Sequence, residues 1–106
     1  MKTVIGLIEK VLVNGHEVEA KVDTGATTSS IDAKLASKLK LGPIVKTSTV
    51  RSSHGKRVRV VVEAELQIKD RKIKAHFNIT PRRDMKYKVL IGINILKDNF
   101  LIDPAK

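Results

Sequence analysis

Apolar and polar residues alternate with a period of two along most of this chain, the pattern of strands that bury one face. Thr3 to Val13 is rich in Val, Ile and Leu and runs into Asn14-Gly15. That pair predicts a hairpin, because both residues tolerate positive φ. His16 to Val22 reads as the return strand, and Asp23 to Ser30 as a polar turn containing glycine. Ile31, Leu35 and Leu39 recur at every fourth position and predict a short helix, capped by Asp32 and ended by Gly42-Pro43. Val58, Val60, Val62, Ala64, Leu66 and Ile68 form the longest alternating set and are expected to face one way. Lys69-Asp70-Arg71-Lys72 predicts a second turn, with Ile73, Ala75, Phe77 and Ile79 on the way back. A loop around Pro81, a strand over Lys88–Ile91, a short helix over Asn94–Lys97 and a strand over Phe100–Ile102 follow. About seven strands in so short a chain predict a small, mainly antiparallel β domain, closed or folded over, with one or two short helices.

Composition narrows the class. A length of 106 residues fits one domain spanning residues 1–106. With 42% hydrophobic and 30% charged residues, the chain is neither disordered nor membrane-embedded in character. The absence of cysteine excludes disulfides, thiolate metal sites and cysteine nucleophiles. Glu9 and Lys10 interrupt the apolar N-terminal run, so no signal-peptide core is expected and a cytoplasmic, soluble protein is. The net charge is +10, and residues 46–88 carry most of it, with thirteen basic side chains against four acidic ones. Such a segment is either a solvated face or a cleft wall that attracts an acidic ligand. Phe77, Tyr87 and Phe100 are the only aromatic residues, too few for a stacking surface that binds single-stranded nucleic acid.

Chemistry enters at Val22-Asp23-Thr24-Gly25-Ala26, where a carboxylate stands directly after an apolar strand. Taken alone, the aspartate could merely satisfy the amides of its own turn. Two further features accompany it. Val89-Leu90-Ile91-Gly92-Ile93-Asn94-Ile95-Leu96 is an apolar run broken by one glycine near the C-terminus, and a polar hairpin over Thr47 to Arg59 lies between the two.

In this order and spacing the three elements resemble the active-site signature, flap and late Gly motif of retropepsin-like aspartic proteases. The wording is most similar to a bacterial and archaeal group labelled ATP-dependent zinc proteases. It shares Thr28-Ser29-Ser30 after the signature, Arg83-Asp84-Met85-Lys86-Tyr87 before the late Gly, and the closing Asn99-Phe100-Leu101-Ile102-Asp103-Pro104. The resemblance implies a small closed β-barrel of the retropepsin type, one lobe of a homodimer, with Asp23 catalytic. Thr24, Gly25 and Ala26 would support the active-site loop, Leu90, Ile91 and Gly92 would back it, and Ser52, Ser53, His54 and Gly55 would form the flap over substrate. Thr27 and Ile93 stand where retroviral enzymes carry an acidic residue and an arginine that pair, so a different substrate pocket is expected. Neither ATP nor zinc is expected, nor any other cofactor. The chain has no phosphate-binding loop and no HExxH pair, and His16, His54 and His76 are far apart in sequence.

Aspartic peptide hydrolysis uses two carboxylates that share a proton, and this chain supplies one Asp-Thr-Gly. The expected unit is therefore a homodimer that places Asp23 twice at a two-fold axis. The group's association with enzymes that add glutamate tails suggests acidic or polyglutamate peptides as substrate. The competing reading is a catalytically silent module on the same scaffold that binds nucleic acid or an acidic protein.

Overall fold

The computed structural model describes residues 2–53, 55–81 and 85–106, and for residues 50–52 the backbone alone. The described residues form, in chain order, β1 (Thr3–Ile5), β2 (Ile8–Val13), β3 (His16–Val22), β4 (Ser29–Asp32), α1 (Ala33–Lys38), β5 (Ile44–Ser52), β6 (Gly55–Ile68), β7 (Arg71–Thr80), β8 (Val89–Ile91), α2 (Ile93–Asn99) and β9 (Phe100–Ile102).

The tight turns set the register. Asn14 and Gly15 take φ values of 47° and 83°, the left-handed pair that matches strand twist, and β2 and β3 zip up antiparallel from Val13 opposite His16. The second turn is shorter than the sequence suggests. Lys69 at φ 57° and Asp70 make it alone, and Arg71 and Lys72 already belong to β7. Thr3 to Val13 is likewise two strands, separated at Gly6-Leu7, because β1 leaves the barrel to pair in parallel with β9.

The barrel closes through six strands in the order β2, β3, β8, β4, β7 and β6, with β6 returning to β2 at Leu12 opposite Gln67. The β3–β8 and β4–β7 pairs are parallel, so the sheet is more mixed than expected. β5 lies outside the ring and pairs with β6. Val11, Val13, Ile31, Val62, Leu66, Ile68, Phe77, Val89 and Ile91 fill the interior and are fully buried. Deleting the Phe77 ring from such a core costs about 3–5 kcal/mol by transfer and cavity terms together. The expected even-numbered set on β6 does face this core, with one exception: Val58 is 69% exposed. It lies beyond the stretch of β6 that pairs with β7, which begins at Val60.

The two helices are short and locally specified. Asp32 caps α1, its carboxylate accepting a hydrogen bond from the Leu35 amide at 3.2 Å. The helix ends at Lys38 with Leu39 as its C-cap, and Lys40 just beyond takes the left-handed region at φ 53°, so the chain turns away before Gly42-Pro43. α2 is longer than the expected Asn94–Lys97. Among the described residues no helix is long and apolar enough to cross a membrane.

Candidate active site

Asp23 follows the last residue of β3, and its backbone is fixed before its side chain is considered. The Asp23 amide donates to the Ile91 carbonyl at 2.9 Å, continuing the parallel β3–β8 ladder one residue past the strand. Beyond it the chain folds back on itself. The Gly25 amide donates to Asp23 Oδ1 at 2.9 Å, and the Ala26 amide to the Asp23 carbonyl at 3.3 Å. The carboxylate is thus turned toward its own loop as an Asx turn, yet stays partly accessible, with Thr24 and Gly25 exposed beside it. That satisfies one oxygen without burying the group.

The late Gly segment holds the loop from behind. Leu90 and Ile91 lie on β8 between β3 and β4. Gly92 sits so close that a Cβ there would lie 2.3 Å from the Thr28 carbonyl oxygen and 2.8 Å from that of Ala26. Only a residue without a side chain fits this contact. The first turn of α2 then hydrogen-bonds to the same loop, the Ile93 amide donating to the Ala26 carbonyl at 2.8 Å and the Asn94 amide to that of Thr27 at 3.1 Å.

A polar network that the sequence reading did not single out completes the backing. Ser29, fully buried, accepts from the Gly92 amide at 2.8 Å and donates to Asn94 Oδ1 at 2.7 Å. Asn94 Nδ2 donates to the His76 carbonyl at 3.2 Å, and Asn78 Nδ2 to Thr28 Oγ1 at 2.9 Å. β4, β7 and α2 are therefore pinned to one loop. Ser29 and Ser30 were expected in a turn; they are the first residues of β4, a strand whose buried hydroxyls hid it from a hydrophobicity count. Asn94 carried a signal, as the single polar side chain in the run Val89–Leu96.

The expected flap falls at the outer end of the β5–β6 hairpin. These strands remain paired out to Ser52 opposite Gly55, whereas β7 stops at Val60. A two-stranded arm therefore extends past the ring. Gly55 takes φ 113° and Ser53 is exposed; His54 and the side chain of Ser52 lie outside the described residues, as do Arg83 and Asp84.

A cleft of about 530 Å³ opens at the far end of the Asp23 loop and is lined in part by Thr27 and Thr28. Lys46, Arg59 and His76 reach it from β5, β6 and β7. Asp23 itself does not line it, and among the described residues no carboxylate does. Arg59 Nε is shielded from solvent with no hydrogen-bond partner among the described residues. His76 also approaches Glu63, at 3.3 Å. Among the described residues no group of three or more His, Asp or Glu side chains could hold a metal ion.

Solved structures share this architecture. A Legionella pneumophila protein of unknown function (DUF785) superposes with a TM-score of 0.71 at 24% identity, over 100% of this chain and 96% of that one. The Simian Foamy Virus (mac) protease gives 0.66 at 19% identity, over 81% of this chain and 87% of its own. EIAV protease in complex with the inhibitor HBY-793 gives 0.68 at 24% identity, over 86% and 85%. The fold is accordingly that of the retroviral proteases, a closed β-barrel with two short helices. No curated protein sequence matches the chain. At the level of sequence, a family model matches residues 10–98, from β2 to α2 and including the whole Asp23 loop, and by that match the chain belongs to the family described as "gag-polyprotein putative aspartyl protease".

Proposed function

We propose that this chain is one half of a homodimeric aspartic endopeptidase, with residues 1–106 as a single retropepsin-like lobe. The observation that carries the reading is Asp23, a partly exposed carboxylate held at the end of β3 by its own loop and backed by Gly92. Membership of an aspartyl protease family gives that carboxylate its expected task. These 106 residues carry one Asp-Thr-Gly, and in the proposed dimer a second copy brings the other.

Surface chemistry near the loop supports a symmetric partner. The Leu7 carbonyl accepts from the Val22 amide at 2.8 Å, which puts Leu7 beside the residue that precedes Asp23. Leu7 and its neighbour Ile8 are 45% and 44% exposed, and Val4 and Leu101, opposite each other on β1 and β9, also face outward. Exposed apolar side chains of this size, with Leu7 next to the residue that precedes Asp23, suit burial against a second copy.

In such a dimer two Asp23 carboxylates face each other and share one proton, since like charges that close do not both ionise readily. The ionised one takes a proton from water as the water oxygen attacks the scissile carbonyl carbon. The protonated one donates to the carbonyl oxygen, giving a tetrahedral diol. Collapse of the diol breaks the C–N bond and returns a proton to the leaving amine. Thr24, exposed at the loop tip, would hydrogen-bond across the axis, and the β5–β6 arm would close over the peptide and exclude water. The basic segment and its cleft fit acidic peptides, polyglutamate among them.

The test is cleavage of a peptide library by the unmodified protein and by Asp23→Asn. The variant is expected to keep its fold and its dimer mass while losing turnover; turnover retained without Asp23 would end this mechanism. If neither protein cleaves any peptide and an oligonucleotide binds with steep salt dependence, the binding-module reading takes its place.

A further inference from the structure

Three basic side chains surround the cleft beside the Asp23 loop, and the most constrained of them is Arg59. Period two explains its position. Val60 and Val62 point into the core, so Arg59 and Val61 stand on the opposite face of β6. Across β5 the register places Ser48 opposite Arg59 and Lys46 opposite Val61, so both charges rise from one patch of sheet. The third, His76, has Glu63 as a neighbour at 3.3 Å. Arg59 has no such partner among the described residues, and its Nε is already removed from solvent. A desolvated guanidinium donor without an acceptor is costly to leave unmet, and Arg59 lines the cleft that an anion would enter.

Resting on the peptidase reading above, we infer that Arg59 is the specificity-determining residue of an anionic subsite, assisted by Lys46, which takes the side-chain carboxylate of an acidic residue in the bound peptide. A planar carboxylate matches the fork of a guanidinium and accepts two parallel hydrogen bonds, whereas Lys46 contributes as a point charge. The wall contributed by Thr27 and Thr28 is neutral, so nothing there repels the ligand. Because that wall continues the Asp23 loop, a side chain held in the cleft fixes the peptide relative to the catalytic carboxylate.

The experiment uses full-length Asp23→Asn as a non-cleaving background and measures fluorescence anisotropy of two labelled peptides. They differ only in Glu against Gln, and both end in an amide. The Glu peptide is expected to bind roughly tenfold more tightly, the order set by a charge-assisted contact. Adding Arg59→Met should bring the ratio near one, with an unchanged circular dichroism spectrum and thermal midpoint showing that the variant is folded. Lys46→Met, at an exposed position, should lower the ratio in part. Lys72→Met, opposite Gln67 and eight positions along β6 from Arg59, should leave it intact.

Equal binding of the two peptides would overturn the inference, as would a ratio that survives Arg59→Met or falls as much with Lys72→Met. A preference appearing only when the peptide carries a free C-terminal carboxylate would overturn the side-chain assignment. So would an oligonucleotide that displaces the Glu peptide and depends more strongly on Arg59. The underlying reading fails separately: a Glu preference in a protein whose unmodified form cleaves nothing would defeat the peptidase and leave the subsite standing.

Discussion

Removing the Ser29 hydroxyl would leave the Gly92 amide without its acceptor inside a fully buried contact. An unmet buried donor costs about 1–3 kcal/mol, so Ser29→Ala should lower stability by that order, read as a fall in the denaturation midpoint. Peptide turnover should fall with it, because Asn94 loses its anchor as well. A Ser29→Ala protein of unchanged stability would mean that the network does not hold the loop. Gly92→Ala tests the same place by volume rather than by hydrogen bonding. The added methyl meets backbone oxygens of the loop, which cannot rotate away as a side chain would. A destabilisation of about 1–3 kcal/mol is expected from such overpacking, and loss of turnover beyond it, since Ala26 and Thr28 must move. At this scale the sequence is uneven. Asp23 and Gly92 are visible in their motifs, and Asn94 is visible as polarity inside an apolar run. Arg59 could have been found by following the phase of β6 one residue out of step. Ser29 carries no signal, because a buried serine and a turn serine look alike until the partner from β8 is known.

Among the elements, the β5–β6 arm and the terminal strands depart most from the rest. Residues 55–59 pair with β5, while β7 reaches only as far as Val60, so the arm adds little to the ring. Replacing residues 50–57 by a short turn should therefore shift the thermal midpoint by only a few degrees, by the usual scaling of about 4–8 °C per kcal/mol. Turnover of peptides should be lost, if closure of the arm excludes water from the dyad. A truncated protein that cleaves as well as the intact one would remove the flap from the mechanism. Strands with one buried face were legible from alternation, as β2, β3, β6 and β7 show. The parallel pairings were not. β3–β8 and β4–β7 join segments distant in the chain, and no local pattern records which strand a given edge will find. The same holds for β1, whose apolar residues continue those of β2 in sequence but pair with β9 in space.

For the whole molecule, the number of active-site motifs outweighs the charge: these 106 residues carry one Asp-Thr-Gly, and the proposed dyad takes two. A charged residue placed in the exposed apolar group beside the loop should separate the two copies. Leu7→Asp is expected to remain folded, because Leu7 is exposed, and to sediment as a monomer without turnover. A Leu7→Asp protein that stays dimeric would move the interface elsewhere. The one-faced strands, the order of motifs and the proposed catalytic carboxylate are written locally in the chain; the proposed partner surface is not, since Leu7, Ile8, Val4 and Leu101 read in sequence as ordinary core residues. The measurement that bears most directly on the shared dyad is subunit mixing. Unmodified protein at fixed concentration is equilibrated with an equal amount of Asp23→Asn, and initial cleavage rates are followed. If two chains each supply one aspartate, mixed dimers are inactive and the rate falls to about half with statistical exchange. A rate untouched by the variant, with exchange of subunits demonstrated, would mean that each chain cleaves on its own and would contradict the account.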